Sequence, residues 1–144
     1  MIKRLSHINV YVLDQDSAKA FYTDKLGFEV RQEVSVGDFR WLTVGPPDQP
    51  DLEFVLMPVG APQHDPETNK QLRELIAKGS FGLGVLTTDD CRKTYEELSA
   101  RGVTFVSEPA ERPYGVEALF RDDSGNWFSL TERKIDLDLS KDWG

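Results

Sequence analysis

Few side chains in this sequence can do acid–base, nucleophilic or metal chemistry, and their placement narrows what that chemistry is. There are two histidines, His7 and His64, and one cysteine, Cys91. A single cysteine makes no disulfide within the chain and cannot build a multi-cysteine zinc site. Any mechanism that needs several histidines is excluded. His7 stands in Leu5–Leu13, where apolar Ile8, Val10 and Val12 alternate with His7, Asn9 and Tyr11. Period-two alternation sends the two sets to opposite faces of a strand, so His7 looks away from a core. Glu53, set among Leu52, Phe54 and Leu56, is placed in the same way. A carboxylate on such a face can act as a base, its pKa raised by partial burial, or stay solvated or paired with Arg40. Other chemistries fail on spacing. Gly79, Gly82 and Gly84 are not followed by the Lys-Ser/Thr of a phosphate loop. Asp136 and Asp138 lack the glycine and glutamate of a calcium loop. Ser6 reads as a neighbour of His7 on the opposite face, which leaves no Ser-His-Asp arrangement.

The elements that must hold these residues follow from pattern and punctuation. The first strand leads to Asp14 and Asp16 as helix caps, a helix over Ser17–Leu26, and Gly27 as its stop. Phe28–Val36 and Phe39–Val44 read as a hairpin about Gly37-Asp38, and Leu52–Met57 as a further strand beyond a proline-rich loop. Asp65 and Pro66 start a helix that runs to Lys78. The pattern then repeats. Phe81–Thr87 is strand-like, and Asp89-Asp90 precede a helix carrying Cys91, Tyr95 and Leu98 on one face. Gly102 ends that helix ahead of a strand at Val103–Val106. Pro109, Pro113 and Gly115 mark a loop, and Val116–Asp122 and Trp127–Glu132 read as the closing strands around an Asp123–Asn126 turn. Asp14 to Gly27 and Asp89 to Gly102 span the same interval, so the unit is β-α-β-β-β, used twice. Cys91, on an apolar helix face, reads as inert core.

The 144 residues are one domain's worth of chain. The single domain is expected over residues 1–132: a first module at 1–58, a connecting loop and helix at 59–79, a second module at 80–132, and then a charged tail at 133–144. A net charge of −8 argues against a nucleic-acid groove and against docking on anionic lipid. No apolar run is long enough for a membrane span or a signal peptide, so a cytoplasmic location is expected.

This layout resembles the vicinal oxygen chelate superfamily, which holds glyoxalase I, bleomycin-resistance proteins, fosfomycin-resistance enzymes and extradiol dioxygenases. Three stretches carry the resemblance: His7–Val12 through Phe21-Tyr22 to Leu26-Gly27-Phe28; Asp89-Asp90 through Thr94-Tyr95, Leu98 and Arg101-Gly102-Val103; and Arg121–Phe128. The resemblance implies an α+β fold of two βαβββ modules that form curved sheets about a cleft, and a homodimer. It also implies a divalent metal (Zn, Ni, Mn or Fe) chelating vicinal substrate oxygens, held by His on first strands and Glu on last strands. His7 and Glu53 stand at those places in the first module. The second module departs from the pattern: Ser80–Val85 holds no His, Asp, Glu or Cys, and the glutamate position falls on Ser129. Glu117 and His64 are the remaining candidates for a further ligand, neither at a family position.

Two functions follow from the resemblance. One is a binding protein of the bleomycin-resistance type that takes a small organic molecule into the cleft, without a cofactor or with an incomplete metal site. Its cleft would be lined by Asn9, Tyr11, Trp41, Glu117, Trp127 and Ser129, and the net negative charge favours a cationic ligand. The other is a metal-dependent lyase or isomerase of the glyoxalase type, or a dioxygenase, with His7 and Glu53 as metal ligands and Glu53 as an alternative base.

Overall fold

The computed structural model describes residues 1–60, 62–134 and Ser140. Asp136, Asp138 and most of the expected tail lie outside the described residues. The first module runs β1 (His7–Val12), α1 (Gln15–Ala20), β2 (Glu29–Val36), β3 (Phe39–Gly45) and β4 (Glu53–Pro58). After α2 (Pro66–Ala77) the second runs β5 (Gly82–Thr87), α3 (Cys91–Ala100), β6 (Thr104–Arg112), β7 (Gly115–Arg121) and β8 (Trp127–Arg133). Each module forms one four-stranded sheet, in the orders β1-β4-β3-β2 and β5-β8-β7-β6. In each, the first strand pairs parallel with the last and the remaining pairs are antiparallel. The expected α+β fold of two βαβββ modules is what the chain adopts.

Local chemistry starts each helix. The Asp14 carboxylate accepts the Ser17 N–H at 2.8 Å, and Asp65 and Asp90 cap α2 and α3 in the same way. The first helix is not α-helical throughout as the sequence suggests. Beyond Ala20 it widens into a π turn at Phe21–Lys25, with Leu26 N–H reaching the Phe21 carbonyl. The wider turn brings Phe21 and Tyr22 side by side into the core.

A second difference concerns Pro109. The sequence reads as loop there, yet β6 continues through it to Arg112. Its pairing with β7 shifts register between Ser107 and Ala110, and β6 is an edge strand. Proline is tolerated at a bulge on an edge, where no ladder hydrogen bond is lost.

The core faces of both sheets meet in one cluster. Val10, Val12, Phe54 and Leu56 from the first sheet join Ala118, Phe120, Phe128 and Leu130 from the second, with Tyr22, Cys91 and Leu98 from the helices. Phe54 and Phe128 stack across the modules with centroids 6.2 Å apart. Among the described residues no such cluster lies over the opposite face of each sheet, which bears the alternate residues.

Candidate functional site

On the open face of the first sheet, the parallel register sets His7 directly opposite Glu53. His7 Nε2 lies 3.1 Å from Glu53 Oε2, with the imidazole 37% exposed and the carboxylate 20%. The second oxygen, Oε1, accepts the Thr43 hydroxyl at 2.7 Å. His7 Nδ1 lies 2.9 Å from the Ser6 hydroxyl. Nε2–H can donate to Glu53 in either protonation state, and Nδ1 exchanges a hydrogen bond with the Ser6 hydroxyl, which can donate or accept. Ser6 therefore touches His7 rather than pointing to the far face: it precedes the first residue of β1, where strand parity does not hold. Arg40 does not pair with Glu53. It bridges Asp16 and Glu33 instead.

Aromatic side chains flank this pair. The Trp41 ring sits 5.9 Å from that of His7, and its indole N–H donates to Gln32. Tyr11, four residues along β1 from His7, meets His64 edge-on at 5.3 Å. Asn9 lies between them in sequence, exposed on the same face.

The second sheet carries a different set on its open face. Gly82 pairs with Trp127 at the start of these strands, as His7 pairs with Glu53, and Val85 pairs with Ser129 further along; neither pair supplies a His or a Glu. The carboxylate of this face comes from the neighbouring strand. Glu117 stands opposite Thr131 as Thr43 stands opposite Val55. Its Oε2 accepts the Ser129 hydroxyl at 2.6 Å and its Oε1 accepts the Tyr114 hydroxyl at 2.6 Å. Ser129 Oγ also lies 2.7 Å from Thr131 Oγ1. The hydrogen bond to Glu117 pushes the Tyr114 phenol pKa upward, since ionisation would break it and set two anions together. In one module a threonine of the third strand serves a glutamate of the fourth. In the other a serine of the fourth serves a glutamate of the third.

Trp127 lies at the end of this face. Its indole occupies the space a side chain at Gly82 would need, and Gly84 opens onto free space. Cys91 is fully buried, its thiol against the Leu130 carbonyl and its pKa raised by burial. Glu132 is on the core side, accepting the Cys91 backbone N–H.

The structure thus brings His7, Glu53 and Trp41 together on one sheet, and Glu117, Ser129 and Trp127 on the other. Sequence reasoning missed Thr43, Ser6, Tyr114 and Thr131. Thr43 shares parity with Trp41, a usable signal. Tyr114 sits in a loop, where parity gives none.

The donor set can be tested against a divalent ion. His7 and Glu53 supply two ligand atoms, already hydrogen-bonded to each other, and the paired first and last strands of the second sheet present Gly82 with Trp127 and Val85 with Ser129. Among the described residues no three His, Cys, Asp or Glu side chains come together. A catalytic ion is ordinarily held by three or more protein ligands, so these residues do not fit one.

Paired βαβββ sheets with a polar cluster on each open face define a class of protein before any comparison. The chain belongs to the Glyoxalase/Bleomycin resistance protein/Dioxygenase superfamily, whose family model matches residues 4–130. Among solved structures, UcmS2 is 61% identical, with a TM-score of 0.89, over 92% of this chain and 99% of that one. TnmS3, an antibiotic binding protein from Streptomyces sp. CB03234, is 30% identical, with a TM-score of 0.73, over 92% of this chain and 98% of that one. The Bacillus subtilis (strain 168) protein YurT is 36% identical over 87% of this chain and 95% of its own length.

Proposed function

We propose that the chain is a small-molecule binding protein that sequesters an antibiotic-like organic ligand on its open sheet faces, as a homodimer. The observation that carries this reading is what the first and last strands of the second sheet present: Gly82 and Trp127 in one pair and Val85 and Ser129 in the next, none of them a His or Glu donor. A site built from one copy of each sheet has an apolar residue and a hydroxyl where metal chemistry needs donors. It retains aromatic walls at Trp41, Tyr11 and Trp127 and hydrogen-bonding groups at Asn9, Glu53, Glu117 and Ser129, which is the composition of a pocket for an organic molecule. The likeness to an antibiotic binding protein supports the same reading.

The dimer is proposed because exposed Val34, Val36 and Val85 lie on or beside the open faces. A second copy laid over them would turn two open faces into a cleft. In this reading His7 and Glu53 are binding groups, and Glu53 accepts hydrogen bonds rather than a substrate proton. No helix among the described residues is long and apolar enough to cross a membrane, and the ligand is taken from solution.

Titration of the untagged chain with the antibiotic that TnmS3 binds, followed by calorimetry, tests the proposal. Saturable binding with one ligand per cleft is expected, unaffected by chelator. Stoichiometric metal in the purified protein, lost in both His7→Ala and Glu53→Gln and accompanied by turnover, would overturn it in favour of the metal-dependent enzyme.

A further inference from the structure

The second sheet's open face holds a combination that the first does not. Glu117 has both oxygens engaged by hydroxyls, Tyr114 on one and Ser129 on the other. Each carboxylate oxygen has two acceptor directions, so each keeps one to offer. Beside it the surface is bared. Gly84 has nothing within reach of a side chain, and Gly82 cedes its side-chain space to the Trp127 indole. Val85 is 63% exposed. Gly82, Leu83, Gly84, Val85, Trp127 and Ser129 line one depression with Glu117. Among the described residues no cationic side chain lines it. Arg133 belongs to the neighbouring depression on the far side of Glu117, where it is exposed.

We infer that Glu117 and Trp127 form a subsite for a planar ring system carrying a hydrogen-bond donor, a protonated amine above all. The inference rests on the binding-protein reading and assigns the ligand's chemistry within it. Trp127 and the glycine-cleared backbone supply a flat apolar floor against which a ring gains area at little conformational cost. Among the described residues that line the depression Glu117 is the only charged one, Arg121 opposite Trp127 reaching toward Gly79 instead; pre-oriented by two hydroxyls, Glu117 meets a donor without reorganising. A ligand presenting an acceptor or a carboxylate there meets lone pairs and like charge, which costs more than the missing bond. Glu117 stands on β7, one strand beyond Ser129 from the exposed Val85, and lines the same depression as both, where a ligand atom can reach it.

The full-length chain is titrated with 9-aminoacridine, a planar cation with N–H donors, and with acridine-9-carboxylate, the same skeleton bearing an acceptor. The first is expected to bind about ten-fold or more tightly, the size of one charge-assisted hydrogen bond. Glu117→Gln is expected to bring the two affinities within about three-fold of each other, and Trp127→Leu to weaken both. Val85→Lys, at an exposed position that folding tolerates, should also remove the preference by pairing with Glu117. Equal affinities in the unmodified chain, binding of neither acridine, or a preference that survives in both Glu117→Gln and Val85→Lys would overturn the subsite. A preference that survives those changes but disappears in Glu53→Gln would place the ligand on the first sheet: the binding-protein reading stands and this subsite falls.

Discussion

Tyr22 and Asp122 show how a polar contact can be buried at little net cost. Tyr22 is fully buried, and its hydroxyl donates to Asp122 Oδ2 at 2.7 Å. The other oxygen of Asp122 accepts the backbone N–H groups of Ser124, Gly125 and Asn126. Burial and the facing carboxylate hold the Tyr22 phenol pKa well above its ordinary value, so it remains a donor through the alkaline range. Asn126 also donates to Oδ2 and reaches across to the Tyr11 carbonyl. Tyr22→Phe would leave one acceptor site of a buried carboxylate empty, and a loss of about 1–3 kcal/mol is expected in urea unfolding. The pair Thr43 and Glu53 follows the same principle at a less buried place. Thr43→Val should free Glu53 to turn toward solvent and alter ligand affinity more than stability.

At the scale of elements, the turn between β7 and β8 docks against the end of α2. Gly125 has φ +119, and a side chain there would run into the backbone carbonyl of Ile76. Gly125→Ala therefore combines a disfavoured conformation with a clash that no rotamer relieves. A loss above about 1 kcal/mol and a lower unfolding midpoint are expected. The start of α2 makes a prediction about pH. The Asp65 carboxyl is held below its ordinary value chiefly by accepting the Thr68 backbone N–H. A group with a lowered folded-state pKa adds stability above its unfolded pKa and loses it as pH falls through the folded one. Asp65→Asn keeps a capping side chain but removes the titration. The difference in stability between the two proteins should shift in the variant's favour as pH drops from about 5 to about 2. A constant difference across that range would contradict the assignment. Elsewhere Arg31, at the bulge in β2, donates to the Pro46 carbonyl at 2.6 Å and pins the proline-rich loop.

Across the whole molecule, the two modules share a core. Phe128 is 1% exposed and contacts Phe54 of the first module, Tyr22 of the first helix and Phe120 of its own sheet. Phe128→Ala is expected to cost about 3–5 kcal/mol. Because the cavity would lie between modules, both should lose stability in one transition. Separate transitions in calorimetry would show modules that fold independently. With the helix-side faces committed to that core, each polar cluster is left on the outward side of its sheet. The proposed dimer makes a concentration-dependent prediction: light scattering should report twice the chain mass, with dissociation on dilution matched by loss of ligand binding. The net charge of −8 adds a salt dependence, since a cationic ligand drawn to an acidic protein binds less well as ionic strength rises.

The sequence by itself determined the repeated β-α-β-β-β order, the caps at Asp14, Asp65 and Asp90, and the faces of His7, Glu53, Trp127 and Ser129. These depend on neighbours along the chain, through alternation and helix-end chemistry that act over a few residues. It also placed Cys91 in the core. Only the tertiary structure decided which residues oppose each other, because strand register joins segments far apart in the chain. That register sets His7 on Glu53, pairs Gly82 with Trp127 and Val85 with Ser129, and gives Glu117 to Ser129 and Tyr114. It also carries β6 through Pro109, which a local reading ends, because an edge strand has one side free of pairing. The Trp127 indole over Gly82 has the same origin: the sequence shows a glycine and a tryptophan, and the parallel pairing of β5 with β8 brings them into contact.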